Sequence, residues 1–239
     1  MKKSDSPFVS FLNLSFSALF LFLMSSPCFA AGNKSTIEIQ KGSAGMIGYG
    51  TLMALKSMEQ TLGRPYRGPI YQVHLQEYIR GWALLRPFKD PQASSAEAPQ
   101  IDAYFLQNNN PVPICGMVSL NIYPQKESRI NCILYRIDEG DLLKFDKRER
   151  GYQRVDVTDK IEEYRIRVGR VYVYVGPADQ PLGAASGPGK YIIVREYVEQ
   201  VTGACDGIGR GFRAEFDRST RPYAYPIVPF AQIVWKKIR

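Results

Sequence analysis

The apolar and polar positions along the chain fall into short runs with two different periods. Ala44 to Tyr49 is a brief apolar strand that ends in glycines. Leu52, Leu55, Met58 and Leu62 recur at helical spacing and Gly63 stops the run, which predicts a helix over 52–62. Ile70 to Leu85 is rich in β-branched and aromatic residues and is predicted as strand. Ile114–Tyr123 and Ile130–Ile137 are expected to pair as a hairpin around a polar turn near Pro124–Ser128. Asp138 is placed to cap a helix running to about Glu149. Strands are expected over 152–157 and 164–175, helices over 191–202 and 212–217, and a last strand over 231–235.

The segments between these runs differ in character. Residues 31–44 are small and polar and are expected to be a linker. Pro87 to Pro113 holds several prolines and an Asn108-Asn109-Asn110 run, as an excursion from the core would, with a short strand at Ile101–Leu106. Gly176 to Lys190 is a Gly/Pro/Ala/Ser loop. Strands with inserted helices and no internal repeat predict an α+β fold, a mixed barrel-like sheet with flanking helices.

The N-terminus departs from this pattern. Lys2 and Lys3 precede a densely apolar centre at 17–24, and Cys28-Phe29-Ala30 supplies small residues around a cleavage point. That order is the order of a secretory signal peptide over 1–30, leaving one domain over 45–239 and a secreted or periplasmic product. The alternative is an uncleaved anchor, since the uncharged stretch from Ser6 to Gly32 is long enough to span a bilayer. Membrane contact is expected only in that case.

Composition adds exclusions. The 239 residues are 45% hydrophobic and 23% charged, which suits a globular domain with a real core. Removing Lys2, Lys3 and Asp5 with the leader takes the formal charge from +8 to +7. The balance suits solubility, an anionic substrate or an anionic surface, and no Lys/Arg block forms a nucleic-acid arm. The single histidine, His74, rules out a two-histidine zinc site, and no Cys-x-x-Cys pair replaces it. His74 sits in an apolar strand-like run, where a structural role is expected. Cys115, Cys132 and Cys205 are expected to be buried small hydrophobes, with Cys115 and Cys132 too far offset across the expected hairpin for a disulfide. Gly183–Lys190 lacks the spacing and the hydroxyl of a phosphate loop, and Gly207–Gly211 does not follow a strand, so both are turn glycines. A proton-transfer step in this protein therefore falls to a carboxylate.

Two segments carry candidate chemistry. Gly48-Tyr49-Gly50-Thr51-Leu52 is a glycine-flanked turn between a strand and a helix, where backbone N–H groups can meet an anion. Phe145-Asp-Lys-Arg-Glu-Arg-Gly-Tyr152 is by itself the charged end of a helix. Together they resemble the gamma-glutamyl cyclotransferase and AIG2-like superfamily. Tyr49-Gly50-Thr51-Leu52 resembles its substrate loop, with Thr51 in place of the usual serine, and Asp146, Glu149 and Tyr152 match its acidic element. Tyr78-Ile-Arg80-Gly-Trp82 resembles its second-strand region. Glu196 to Ala204, followed by Phe212–Phe216, resembles its late helices.

The resemblance implies release of 5-oxoproline from a small-molecule gamma-glutamyl substrate, by attack of the substrate's own α-amino group. Glu149 is then the general acid/base. Gly48, Tyr49, Gly50, Thr51 and Leu52 bind substrate with Tyr197, for which Tyr191 is the rival. No metal or organic cofactor is implied. A retired, AIG2-like binding or membrane-surface protein is the alternative. Proton transfer from an amine demands a partly desolvated Glu149 of raised pKa, so Lys147, Arg148 and Arg150 are expected to point outward.

Overall fold

The structure, a computed structural model, describes residues 34–88, 101–177 and 190–237. The expected signal peptide lies outside them. The elements in chain order are β1 (Ser35–Glu38), β2 (Ser43–Gly48), a 3-10 turn (Thr51–Met53), α1 (Leu55–Leu62), β3 (Ile70–Pro87), β4 (Ile101–Gln107) and β5 (Asn110–Asp138). There follow α2 (Leu142–Arg148), β6 (Gln153–Asp156), β7 (Tyr164–Val168), β8 (Val171–Val175), β9 (Lys190–Val194), α3 (Arg195–Ile208), α4 (Arg210–Ser219), β10 (Ile227–Val228) and β11 (Ile233–Lys237). The architecture is α+β, a large mixed sheet with flanking helices. Among the described residues no helix is long and apolar enough to cross a membrane.

The sheet is organised on β5. On one edge, β3 runs antiparallel to it from Ile70↔Tyr135 to Pro87↔Gly116. On the opposite edge, β9 pairs parallel near residues 114–117 and β2 pairs antiparallel over 133–138. β2 is paired with β8 as well, so both its edges are occupied, and five of its six residues are buried, on both faces. That explains its continuous apolar run.

The hairpin expected from Ile114–Tyr123 and Ile130–Ile137 does not form. Both halves belong to the 29-residue β5, and both pair with the 18-residue β3. The polar segment at 125–128 is a bulge facing Glu77, with Glu77 at φ 62° and Glu127 at φ 60°. The bulge has a consequence for β3. Val73 and Leu75 face the core before it, and Tyr78, Arg80 and Trp82 face the core after it. One inserted residue flips the side-chain parity and keeps the apolar set inside. Arg80 is thereby carried into the interior, where its guanidinium lies 4.3 Å from the centroid of the Phe216 ring and donates to Asn131 Oδ1 at 3.1 Å.

Three other expectations are corrected. The linker at 31–44 contains β1, which pairs parallel to β7 and buries Ile37 and Ile39. The strand expected over 164–175 breaks at Gly169, whose φ of +74° turns the chain from β7 to β8. The helix expected over 191–202 is the strand β9 followed by α3, so Tyr191 is a strand residue and Tyr197 a helical one. In the excursion, β4 and the start of β5 form a hairpin through Asn108 and Asn109, both at positive φ, the pair of conformations a two-residue hairpin turn needs. β11 adds to its far side, and Phe105, Ile114, Ile192, Val228 and Ile233 make a small second core there. Among the described residues the three cysteines are free, Cys132 and Cys205 buried and Cys115 half-buried.

Candidate active site

A break in the sheet makes the site. Between the parts of β5 paired with β9 and with β2, its second edge has no strand partner among the described residues. Leu120 lies in this gap. Tyr197 Oη accepts a hydrogen bond from Leu120 N–H at 3.2 Å, and Tyr152 Oη donates to its carbonyl at 2.8 Å. Two tyrosines thus satisfy backbone groups that a neighbouring strand would otherwise satisfy. The space beside them is a cleft of about 350 Å³, counting its open mouth.

Tyr49, Gly50, Thr51, Leu52, Glu149 and Tyr197 all line this cleft, although they span about 150 positions of sequence. Gly48 lies beneath it, and Tyr191 sits on β9 opposite Gly116, outside the lining. Ile47, Leu120, Tyr152 and Tyr174 complete the wall. Of these, Tyr152 belongs to the acidic element already singled out. Tyr174 sits in the alternating Val-Tyr-Val-Tyr-Val of β8, which signals only a strand.

The turn after β2 depends on close backbone approach. A Cβ at Gly48 would lie 2.5 Å from the carbonyl oxygen of Leu52. The turn's own bonds run from Met53 N–H to Gly50 C=O at 2.9 Å and from Ala54 N–H to Thr51 C=O at 3.1 Å. The amides of Thr51 and Leu52 are therefore outside its hydrogen bonding. Ala54 is extended, so α1 starts at Leu55, three residues later than the periodicity predicts.

Glu149 is delivered by α2. Leu142 and Phe145 are buried along one stripe of that helix, Phe145 completely. Burial of such a side chain stabilises by about 2–3 kcal/mol and pins the helix end. Glu149 leaves the helix at φ −89°, ψ 40°. Only 18% of its side chain is exposed. Burial raises its pKa above the ordinary carboxylate value, and the nearby Arg148 and Arg86 guanidinium groups oppose this without overcoming it.

Arg148 contradicts the expectation that it points outward. Its Nε donates to Glu149 Oε1 at 2.9 Å, because the turn of the chain at Glu149 brings the two side chains together. Lys147 and Arg150 are on the surface, as expected.

The tyrosines around the cleft are bonded through the scaffold. Tyr49 Oη donates to the Tyr174 carbonyl at 2.8 Å, and Tyr174 Oη donates to Asp146 Oδ1 at 2.6 Å. Asp146 is also paired with Arg154 at 3.0 Å. Burial pushes Tyr49 well above its usual value and Tyr197 up to about 12, so both are neutral hydroxyls at physiological pH. Trp82 backs Tyr197 edge-to-face with ring centroids 5.5 Å apart.

His74 is not part of the cleft lining. Its Nδ1 bonds Glu163 and its Nε2 bonds Glu215 at 2.7 Å. His74, Glu162 and Glu163 also bring potential metal-ligand atoms within 4.8 Å of one another. Both ring nitrogens are already engaged by carboxylates, and Glu162 is paired with Arg129.

No protein-family profile matches the chain, and no curated protein matches it. Among solved structures, a gamma-glutamyl cyclotransferase is similar with a TM-score of 0.44 and 10% identity, covering 78% of this chain and 94% of its own. An uncharacterised human protein gives a TM-score of 0.45 at 9% identity, with 79% and 95% covered. A yeast gamma-glutamyl cyclotransferase specific to glutathione gives 0.38 at 11% identity, with 77% and 100% covered. At these scores and identities a shared activity does not follow.

Proposed function

We propose that this protein is an exported gamma-glutamyl cyclotransferase, with Glu149 as its general acid/base. One observation carries the reading. A largely buried carboxylate of raised pKa shares a small cleft with a glycine turn whose Thr51 and Leu52 amides take no part in the turn's own hydrogen bonds, and among the described residues no cysteine, serine or histidine lines it. Such a site transfers protons and stabilises charge, and it suits a substrate that contains its own nucleophile.

The reaction then proceeds as follows. The substrate's α-ammonium gives one proton to the Glu149 carboxylate. The freed amine attacks the γ-carbonyl carbon, forming the C–N bond of a five-membered ring. The carbonyl electrons move to oxygen, and the Thr51 and Leu52 amides are the donors assigned to stabilise it in this reading. Collapse restores the carbonyl and breaks the original amide bond. The departing amine takes this proton back from Glu149, and the ring nitrogen then gives up its second excess proton, relayed by the same carboxylate to the released amine, leaving 5-oxoproline and a free ammonium. Intramolecular attack needs no enzyme nucleophile and carries a large entropic advantage. A carboxylate at its ordinary value is a poor match for an amine, and burial improves the match.

The test is production of 5-oxoproline from gamma-glutamyl-alanine, gamma-glutamyl-lysine and glutathione by the mature protein and its Glu149→Gln variant. Turnover by the wild type alone is expected. No product from any of the three removes the reading in favour of a binding protein, and equal product from both proteins removes the role of Glu149. Export is tested separately, by the N-terminal sequence of the secreted protein, which is expected to begin near residue 31.

A further inference from the structure

Arg148 has five N–H donors, and all five are used. Besides its Nε bond to Glu149, one terminal nitrogen donates to the Ser57 carbonyl at 3.1 Å and to Thr61 Oγ1 at 2.6 Å. The other donates to Thr51 Oγ1 at 3.0 Å and to Ser57 Oγ at 2.9 Å. The acceptors belong to three separate pieces of chain: the glycine turn, α1, and the residue that ends α2.

We propose that Arg148 is a positioning residue that locks the substrate loop and the acid–base carboxylate into one unit, bridged through α1. The proposal rests on Glu149 being the proton-transfer group and deepens that reading. Three physical points support it. First, a planar fork that reaches three segments at once holds their spacing, whereas a lysine ammonium on a flexible stem cannot span them. Second, a guanidinium only donates. Thr51 Oγ1 must accept from it, so the Thr51 hydroxyl hydrogen is left to donate elsewhere, and Thr51 lines the cleft. Arg148 thereby sets the polarity of the loop hydroxyl toward an anionic substrate group. Third, Arg148 bonds Oε1 of Glu149 and leaves Oε2 outside that bond. It fixes the carboxylate's orientation and places a positive charge beside it, which counters the effect of burial.

Arg148 is hydrogen-bonded to both halves of the candidate site, Thr51 and Glu149. Its own side chain is 28% exposed.

The test compares wild type, Arg148→Gln and Arg148→Lys. For Arg148→Gln, kcat is expected to fall by about tenfold or more, the size of a lost charged hydrogen bond. The acidic limb of kcat/KM should move to higher pH, because the carboxylate loses its stabilising cation. Arg148→Lys keeps a charge and the aliphatic stem. It should fold, return the acidic limb toward wild type, and leave kcat low. A role in folding alone would lower thermal stability without moving the limb. The carboxyl of Glu149 is also titrated directly by ¹³C chemical shift, with the signal assigned by its loss in Glu149→Gln. A higher midpoint in Arg148→Gln than in wild type supports the proposal even if no gamma-glutamyl compound is turned over, in which case the cyclotransferase reading alone fails. An unchanged midpoint, or wild-type kcat in Arg148→Lys, overturns it.

Discussion

Glu149 and Glu163 are the same residue type, each partly buried and each bonded to one cationic side chain, yet they titrate in opposite directions. For Glu149, burial is the largest influence and it prevails over the single Arg148 bond, so its pKa is raised. For Glu163, burial is again the largest single influence. It is outweighed by the His74 ring, the His74 amide and the imidazolium charge acting together, so its pKa is lowered. The difference lies in the number of donors aimed at each carboxylate. Glu149 is left with capacity to accept a proton, and Glu163 has its capacity satisfied. One arrangement fits chemistry and the other fits structure.

The largest expected effect breaks the comparison outright. Glu149→Gln should lower 5-oxoproline formation by about 10²- to 10⁴-fold, the range for loss of a general acid/base. Glu163→Gln should leave turnover within about twofold, since its carboxylate serves His74 instead of the cleft. Steady-state assays of the two variants decide this.

Next in size is Gly48→Ala. The new Cβ would press on the Leu52 carbonyl, a backbone atom that can move only with the whole turn. A loss of about 1–3 kcal/mol in chemical denaturation is expected, accompanied by loss of turnover.

A smaller effect tests the structural member of the pair. His74 has its pKa raised, chiefly by the Glu163 bond, against an opposing contribution from burial. A raised histidine contributes stability in full below its unfolded value near 6.5, and that contribution is lost as pH rises through the folded value. Glu163, being lowered, contributes above its unfolded value near 4.5 and loses the contribution as pH falls through the folded one. The wild type should therefore exceed His74→Gln most between those two pH values, by on the order of 1 kcal/mol after solvent screening. Thermal melting across pH 3 to 9, spanning roughly the unfolded carboxylate and imidazole ranges, gives the profile. A difference that keeps growing above the histidine range would reverse the assignment.

The smallest effect has the opposite sign. Since Glu149 is raised, its ionisation costs stability as pH rises through the folded value. Glu149→Gln should thus be slightly more heat-stable than wild type at pH 8, roughly where the carboxylate is fully charged, and Glu163→Gln less stable. Melting temperatures at one pH give both signs.

Much of the fold was legible in the chain. The strand at Ala44–Tyr49, the amphipathic spacing of α1 and the alternation in β3 all correspond to observed elements. The misreadings share a cause. Pro124–Ser128 is polar and turn-like, so local chemistry suggested a hairpin, whereas the length of β3 makes the segment a bulge in one long strand. Tyr191-Ile-Ile-Val194 was merged with the helix after it because a short apolar run has no period of its own. Residues 31–44 are locally small and polar and were expected to be a linker, because the partner strand of β1, β7, lies some 125 residues downstream.

The site followed the same rule. The turn and Glu149 were singled out through ordered short motifs, and they line one cleft. Arg148 was misplaced because the expectation of a raised Glu149 pKa excluded any cation facing it, whereas burial outweighs the adjacent guanidinium. Tyr174 was missed because its hydroxyl acts across the sheet, on Asp146, a relation that no spacing in the sequence records.

The most direct test of this account is the titration of the Glu149 carboxyl in the wild-type protein without substrate, followed by ¹³C shift. A midpoint above the ordinary value of 4.5 is predicted, with Glu163 titrating below it in the same experiment. A Glu149 midpoint at or below 4.5 would mean that Arg148 prevails over burial, and would contradict the account.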